Sequence, residues 1–353
     1  MDLADFDYDL PEAAIAQRPT EPRDRARLLV DRGAGLPPEH RTVAELPTLV
    51  GPGDVVVVNT TRVLPARLRL RKPTGGEVEV LLLEHLPSGA WEALVRPGRR
   101  VPPGTVLRAG PDLDVAVGAS GPGDGTRTVE LRVAPGTDEL AVLARHGVVP
   151  LPPYIARPLD DPERYQTVFA DRPGSVAAPT AGLHLTPAVL AGCRAAGARV
   201  EPVDLAVGMG TFRPMSAPKV EDHHMHAERY AVPAATLDAC RTARDGGGRV
   251  VAVGTTTVRA LESAALSGTA EGRTELFIHR PWTWRLVDVL LTNFHLPRSS
   301  LLVLVDALIG PRWRELYAEA LAAGYGFLSF GDAMLVARDP LVARDAGPAG
   351  RVA

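Results

Sequence analysis

Arg249-Val-Val-Ala-Val253, Gly254-Thr-Thr-Thr257 and Val258-Arg-Ala-Leu-Glu-Ser-Ala-Ala265 follow one another without a break, and this stretch decides the fold. A short, wholly apolar run bounded by glycine reads as a strand buried on both faces, and the stretch Val258 to Ala265 beyond the Gly254-Thr-Thr-Thr257 turn reads as helical. A strand passing straight into a helix is half of a βαβ unit, which predicts a parallel sheet. The same rhythm recurs on either side. Thr186-Pro187 supplies an N-cap with proline at the first helical position, Gly197 a stop, and a strand is expected near Val200 to Val207. A strand near Leu286 to Leu291 and a helix near Ser300 to Ile309 come later. Far upstream, the valines Val55 to Val58, between Gly51-Pro-Gly-Asp54 and Asn59-Thr-Thr61, read as another buried strand of this sheet.

A different pattern separates that strand from the rest. Arg67-Leu-Arg-Leu-Arg71 and Glu77-Val-Glu-Val80 alternate strictly on both sides of Pro73-Thr-Gly-Gly76, a hairpin signal. Short strand-like runs broken by Pro-Gly, Gly-Pro and Asp-Gly pairs continue to about Val149, as in a small barrel. The expected architecture is therefore an α/β (complex α+β) main domain, residues 1–62 and 150–340, carrying an inserted antiparallel β-barrel domain, 63–149. The Gly/Ala/Arg-rich tail 341–353 is expected to fray. Arg67, Arg69 and Arg71 share one strand face, but folding about Thr74-Gly75 brings Glu77 and Glu79 beside them. Cross-strand ion pairs explain them without any nucleic acid.

Composition narrows the class. The chain has 353 residues, 45% hydrophobic and 23% charged, enough for a large core or two domains. Glycine and proline make up about 19%, below the ~25–30% of low-complexity chains. No apolar run approaches the ~20 residues of a membrane span, and the run around Leu301 to Leu304 stops at Asp306. The acidic start, MDLADFDYDLPE, lacks the basic and apolar regions of a secretory signal. Cys193 and Cys240 are too few for a disulfide framework or a cysteine metal site, so a cytoplasmic protein is expected. A net charge of −3 argues against a generic nucleic-acid coat.

Three motifs carry chemistry. At Gly254-Thr-Thr-Thr257, free backbone N–H groups and the positive end of a helix dipole favour an anion, and Arg259 stands within the first turn. A plain hydroxyl-capped turn is the alternative. Glu221-Asp-His-His-Met-His-Ala-Glu228 packs three histidines and three acids into eight positions. It reads as a zinc site through His224 and His226, as acid–base machinery built on His226 and Glu228, or as a solvated polar loop. Pro179-Thr-Ala-Gly-Leu-His184 and Thr292-Asn-Phe-His-Leu-Pro297 each set a histidine at a strand end, where α/β sheets bind ligands. A satisfied structural histidine is the competing reading of each.

These segments are similar to those of the S-adenosylmethionine:tRNA ribosyltransferase-isomerase family of queuosine biosynthesis. The likeness runs from Phe6-Asp-Tyr-Asp-Leu-Pro-Glu12 to Gly331-Asp-Ala-Met-Leu335. It includes Asn59-Thr-Thr-Arg-Val-Leu-Pro-Ala-Arg-Leu68, Leu151-Pro-Pro-Tyr-Ile155, Tyr165-Gln-Thr-Val-Phe169 and Ser175-Val-Ala-Ala-Pro-Thr-Ala-Gly-Leu-His184. Gly210-Thr-Phe-Arg-Pro214, Glu221-Asp-His223 with Met225-His226, Val253 to Ser263 and Leu291 to Pro297 complete it. The resemblance implies an α/β domain with a barrel insertion. It implies transfer of the ribosyl part of S-adenosylmethionine to 7-aminomethyl-7-deazaguanine in tRNA, with isomerisation to epoxyqueuosine and release of adenine and methionine. No metal or further cofactor is implied.

The chain departs from the family pattern at Ala206, where a histidine is usual, at Leu185 for phenylalanine, at Pro281-Trp-Thr-Trp284 for a Pro-Gly turn, and at Gly326 and Phe330 for arginine and tyrosine. A paralogue using another acceptor, or a non-catalytic RNA-binding relic, is the competing expectation. Within the family reading, His226 supported by Glu228 is assigned as base and His184 as second acid–base group. Gly254, Thr255, Thr256, Thr257 and Arg259, with Thr180 and Gly182, are assigned to S-adenosylmethionine. Asn293, His295, Asp332 and Arg62 are assigned to the acceptor. A monomer is expected.

Overall fold

The computed structural model describes residues 1–338 apart from 32, 34–35, 122–124, 209–214 and 216. The Gly210–Pro214 stretch and the tail expected to fray lie outside the described residues. The chain opens with β1 (Arg27–Asp31), β2 (Glu39–Thr42), β3 (Val55–Asn59) and β4 (Thr61–Val63). Then come β5 (Arg67–Arg71), β6 (Glu77–His85), β7 (Trp91–Arg96), β8 (Val106–Gly110), β9 (Leu113–Ser120) and β10 (Arg127–Val133). Helix α1 (Glu139–His146) leads to β11 (Gly147–Val148) and β12 (Arg172–Ser175). The remainder alternates: α2 (Pro187–Ala195), β13 (Arg199–Leu205), β14 (Glu228–Ala231), α3 (Ala234–Asp245), β15 (Val250–Val253), α4 (Thr255–Ser267), β16 (Glu271–Thr274) and β17 (Val289–Asn293). Helices α5 (Ser300–Ile309) and α6 (Trp313–Ala322) precede β18 (Ala333–Ala337).

The main sheet has nine strands in the order β16-β14-β13-β3-β15-β17-β18-β1-β2. Its centre, β13-β3-β15-β17, is parallel, and antiparallel pairs flank it. The four valines of β3 show why a continuous apolar run belongs there. Val55 and Val57 pack into the core that holds Leu237, Leu261 and Leu304 of α3, α4 and α5. Val56 and Val58 pack into a second core with Val189 and Leu190 of α2. Both faces are covered, so neither can be polar. Helix α2 starts where expected: the Thr186 hydroxyl accepts from Val189 N at 3.2 Å. Helix α4 ends on Gly268 in the left-handed region, φ 72°.

Six strands close into an antiparallel barrel, β5-β6-β7-β10-β9-β8, with β8 returning to β5 at Arg71 and Arg108. The expected hairpin turn lies between β5 and β6, where Lys72 N donates to Gly76 O at 2.8 Å and Gly75 has φ 88°. Leu68, Leu70, Val78, Val80, Val115 and Val129 fill the interior. The short β11 pairs with β5, so the chain leaves the barrel beside the point where it entered. A separate two-stranded pairing, β4 with β12, runs between barrel and main sheet.

Candidate active site

The carboxyl ends of β13, β3, β15 and β17 come to one edge, the place where open α/β sheets bind ligands. Asn59, the last residue of β3, clasps that edge. Its Nδ2 donates to Leu205 O at 3.0 Å and Thr256 Oγ1 at 3.1 Å. Its Oδ1 accepts from the N–H groups of Leu205 at 3.1 Å and Thr61 at 3.2 Å. Every polar capacity of a buried amide is thereby used, which fixes α4 against β3 and β13.

Next to this clasp lie two small crevices of about 30 Å³ each. Thr180, Asn293 and His295 line both, and Gly254, Thr255 and Thr256 line one. The Thr180 hydroxyl donates to Asn293 Oδ1 at 2.8 Å, and Asn293 Nδ2 donates to His184 Nε2 at 3.0 Å. The ring therefore accepts at Nε2 and carries its proton on Nδ1. Burial, helped by the nearby charges of Arg164 and Arg23, lowers the His184 pKa to about 4. Burial alone lowers His295 to about 3, and its Nε2 lies 2.9 Å from Thr292 Oγ1. Both imidazoles are neutral at pH 7. Gly182 is a glycine because a Cβ there would sit 2.8 Å from the Phe169 ring. Gly254, at φ 87°, lets β15 turn sharply into α4. The Thr257 hydroxyl donates back to Val253 O at 2.6 Å.

A much larger cleft of about 810 Å³ separates the barrel from the main sheet. Its barrel wall presents Leu83, Glu84, Trp91, Glu92 and Leu94, and its opposite wall Ala206, Val207, Gly208, His226 and Glu228. His226 is exposed to it, whereas Glu228 is buried. The Glu228 carboxylate accepts from Gly208 N at 2.7 Å and pairs with Arg259. Arg259 is buried as well, and it also donates to Leu276 O at 3.0 Å and Thr274 O at 3.3 Å. Burial lowers its pKa to about 10.

The candidate residues thus fall into two neighbouring groups. His226 and Glu228 stand in the cleft; Thr180, His184, Gly254, Thr255, Thr256, Asn293 and His295 gather at the crevices, with Gly182 and Thr257 behind them. Val207 lines both cavities. Two expected pairings take a different form. Glu228 serves Arg259 rather than the His226 ring, and Arg259 spends its donors on Glu228 and two carbonyls rather than on the start of α4. Asp332 and Arg62 line neither cavity. Asp332 accepts from Arg27 N at 2.7 Å and Gly326 N at 2.8 Å, and burial raises its pKa despite those bonds. Arg62 pairs with Glu163 at 2.6 Å.

Among the described residues no three His, Cys, Asp or Glu side chains converge as a metal site requires. Sequence reasoning passed over Asn59 and the barrel wall of the cleft. The signal for the first was an amide directly after four valines, at the carboxyl end of a central strand. Of the departures from the family pattern, Ala206 alone lines the cleft. Leu185 and Phe330 belong to the core, and Trp284 donates to Ala307 O at 3.2 Å.

Comparison with known proteins gives one answer throughout. Residues 3–336 match the family model described as queuosine biosynthesis protein. The chain is 51% identical over 333 residues to the S-adenosylmethionine:tRNA ribosyltransferase-isomerase of Rubrobacter xylanophilus, covering 94% of this chain and 96% of that one. It is 48% identical over 342 residues to the enzyme of the same name from Thermotoga maritima, covering 95% and 100%. The crystal structure of S-adenosylmethionine tRNA ribosyltransferase from Thermotoga maritima superposes with a TM-score of 0.53 at 38% identity, covering 94% and 99%.

Proposed function

The chain belongs to the queuosine biosynthesis family of S-adenosylmethionine:tRNA ribosyltransferase-isomerases, and from that premise we propose how it works. It is an enzyme that transfers the ribosyl part of S-adenosylmethionine to 7-aminomethyl-7-deazaguanine at the wobble position of tRNA. The transferred group isomerises to the epoxycyclopentanediol of epoxyqueuosine, and adenine and methionine leave. The observation that carries this reading is the cleft of about 810 Å³ between barrel and sheet, within the range of ligand pockets, with an exposed histidine on its wall. The crevices at the α4 start hold about 30 Å³ each, so the reacting groups belong in the cleft.

The sulfonium makes the ribose 5′ carbon electrophilic and its hydrogens acidic. The chemistry asks for a base, donors for departing adenine, and a site shielded from water, and no Lewis acid is needed. His226 is the base. Glu228, anchored by Arg259, holds Gly208 and the His226 segment in place. His184, kept neutral and oriented by the Asn293 amide, is the second acid–base group. The N–H groups of Thr255 to Thr257, presented by the turn at Gly254 and with Thr180 and Gly182 beside them, hold the methionine carboxylate, and Asn293 and His295 face the acceptor side. The Gly254 N–H itself is spent on Leu291 O at 2.8 Å. Asp332 and Arg62 support this region from outside the cavities. The division at 62/63 and 149/150 into main domain and barrel, a monomeric state and a cytoplasmic location complete the reading. No helix among the described residues is long and apolar enough to cross a membrane.

The decisive experiment incubates the protein with S-adenosylmethionine and tRNA bearing the deazaguanine base, then applies mass spectrometry to both fractions. Adenine, methionine and epoxyqueuosine are expected together. Adenine release with an unchanged tRNA base points to another acceptor, and no release under any acceptor removes the enzymatic reading.

A further inference from the structure

Carboxylates outnumber guanidiniums in the cleft: Glu84, Glu92, Glu139, Glu228 and Glu275 line it with Arg229 and Arg273, and Arg273 is already paired with Glu84. A polyanion gains nothing from such a lining, so the backbone of an RNA whose base enters the cleft must be held elsewhere. The strand β7 shows where. Its outward residues are Glu92, Leu94 and Arg96; the first two line the cleft and the third lies beyond it. At two residues per repeat, Arg96 follows Leu94 by about 7 Å.

Arg96 opens a basic face. It stands opposite Glu79 of β6, which stands opposite Arg69 of β5; Arg71 of β5 stands opposite Arg108 of β8. Arg99 and Arg100 follow β7 in an exposed turn that Lys72 holds to the β5–β6 hairpin through the Arg100 carbonyl. Carboxylates answer part of this charge, with Arg71–Glu77 at 3.5 Å, Arg67–Glu79 at 4.0 Å and Arg108–Asp114 at 3.2 Å. The pairing expected from the sequence is therefore real for Arg67 and Arg71. Arg69, Arg96, Arg99 and Arg100 have no ion-pair partner among the described residues, and all four are exposed. A surplus of guanidinium forks on one rigid barrel face suits phosphate oxygens.

We propose that this outer face of β8, β5, β6 and β7 docks the phosphate backbone of the tRNA substrate while the modified base occupies the adjoining cleft. The proposal rests on the function given above. The strands act as a ruler between the two: from Trp91 to Arg96 is five residues, about 17 Å of extended chain. Base and backbone are thus received at two ends of the same outward face of β7, the cleft end net acidic and the far end basic.

The test is a quadruple substitution of the four unpaired arginines, Arg69→Gln, Arg96→Gln, Arg99→Gln and Arg100→Gln, in the full chain. An anticodon stem-loop RNA is titrated at several salt concentrations, and turnover is followed with full-length tRNA. Each lost phosphate contact should reduce the slope of log affinity against log salt by about 0.7–0.9, and KM for tRNA should rise about tenfold or more. S-adenosylmethionine affinity and kcat should be unchanged. Should the quadruple variant fold poorly, the pairs Arg69→Gln/Arg96→Gln and Arg99→Gln/Arg100→Gln should each show about half of the slope change. An unchanged slope and KM overturn the docking face while leaving the enzyme's function standing. An equal loss in Arg194→Gln/Arg241→Gln, on α2 and α3, also overturns it, because net charge then explains the effect. If the unaltered protein neither binds the RNA nor modifies tRNA, the functional premise fails first and takes the docking face with it.

Discussion

Glu228 and Arg259 form an ion pair with 6% and 5% of their side chains exposed, joining the first residue of β14 to the first turns of α4. Two buried charges are stable together only when their remaining donors and acceptors are met. Here Gly208 N meets the carboxylate, and the carbonyls of Leu276 and Thr274 meet the guanidinium. The pair thus ties the floor of the cleft to the helix start that borders the crevices, two cavities the chain keeps distinct.

Removing one partner should be costly. Glu228→Ala or Arg259→Ala strands a buried charge, and the expected loss is about 3–5 kcal/mol in denaturant unfolding. A double-mutant cycle should show strong coupling, since each single change already breaks the same interaction. Additive effects would separate the two residues.

Replacing the proposed base tests the chemistry directly. His226→Ala should lower turnover about 10²–10⁴-fold while S-adenosylmethionine still binds, as read by adenine release and calorimetry. The residue is exposed, so stability should barely move. A loss of less than about tenfold takes His226 out of the role.

The buried histidines give the fold a pH dependence of known sign. His184 titrates near 4 and His295 near 3 when folded, against 6.5 for an ordinary histidine. Between those values the unfolded chain binds more protons, so stability rises with pH there and is fully present above about 6.5. Acidification from pH 7 to 5 should therefore destabilise the protein. His184→Gln should flatten the decline in urea unfolding carried out at both pH values. An unaltered slope in that variant would show that His184 does not titrate differently on folding.

Chelation separates the readings of the histidine cluster. Turnover should be indifferent to EDTA, because the proposed chemistry uses a base and a sulfonium leaving group. Loss of activity restored by zinc would return His224 and His226 to the role of metal ligands.

The core of the fold was legible because its rules are local. Val55 to Val58 and Val250 to Val253 are continuous apolar runs that only a doubly covered strand accepts, and the Thr186 cap and Gly254 turn are written in adjacent residues. The outer strands were not legible. β1 reads Arg-Leu-Leu-Val-Asp; its parallel partner β18 lies some 300 residues later, and its antiparallel neighbour β2, Glu-His-Arg-Thr, is too short and polar to read as a strand. The candidate site divides the same way. Thr180, His184 and Asn293 could be found from loops at strand ends, but their mutual hydrogen bonds arise from packing. Glu228 was paired with its sequence neighbour His226, whereas the folded chain gives it Arg259, 31 residues away, because burial demands a permanent cation.

The central position of β3 has a consequence for the order of synthesis. It emerges early, yet both hydrogen-bonded neighbours, β13 and β15, begin only at Arg199 and Val250. At about 5–20 residues per second, roughly 140 residues of delay leave four valines without a partner for about 7–30 s on the ribosome. The barrel strands are all translated within that interval, since they close among themselves before residue 150. The nascent chain therefore carries an unpaired sticky strand ahead of a completed barrel, and its exposure to chaperones is set by translation speed.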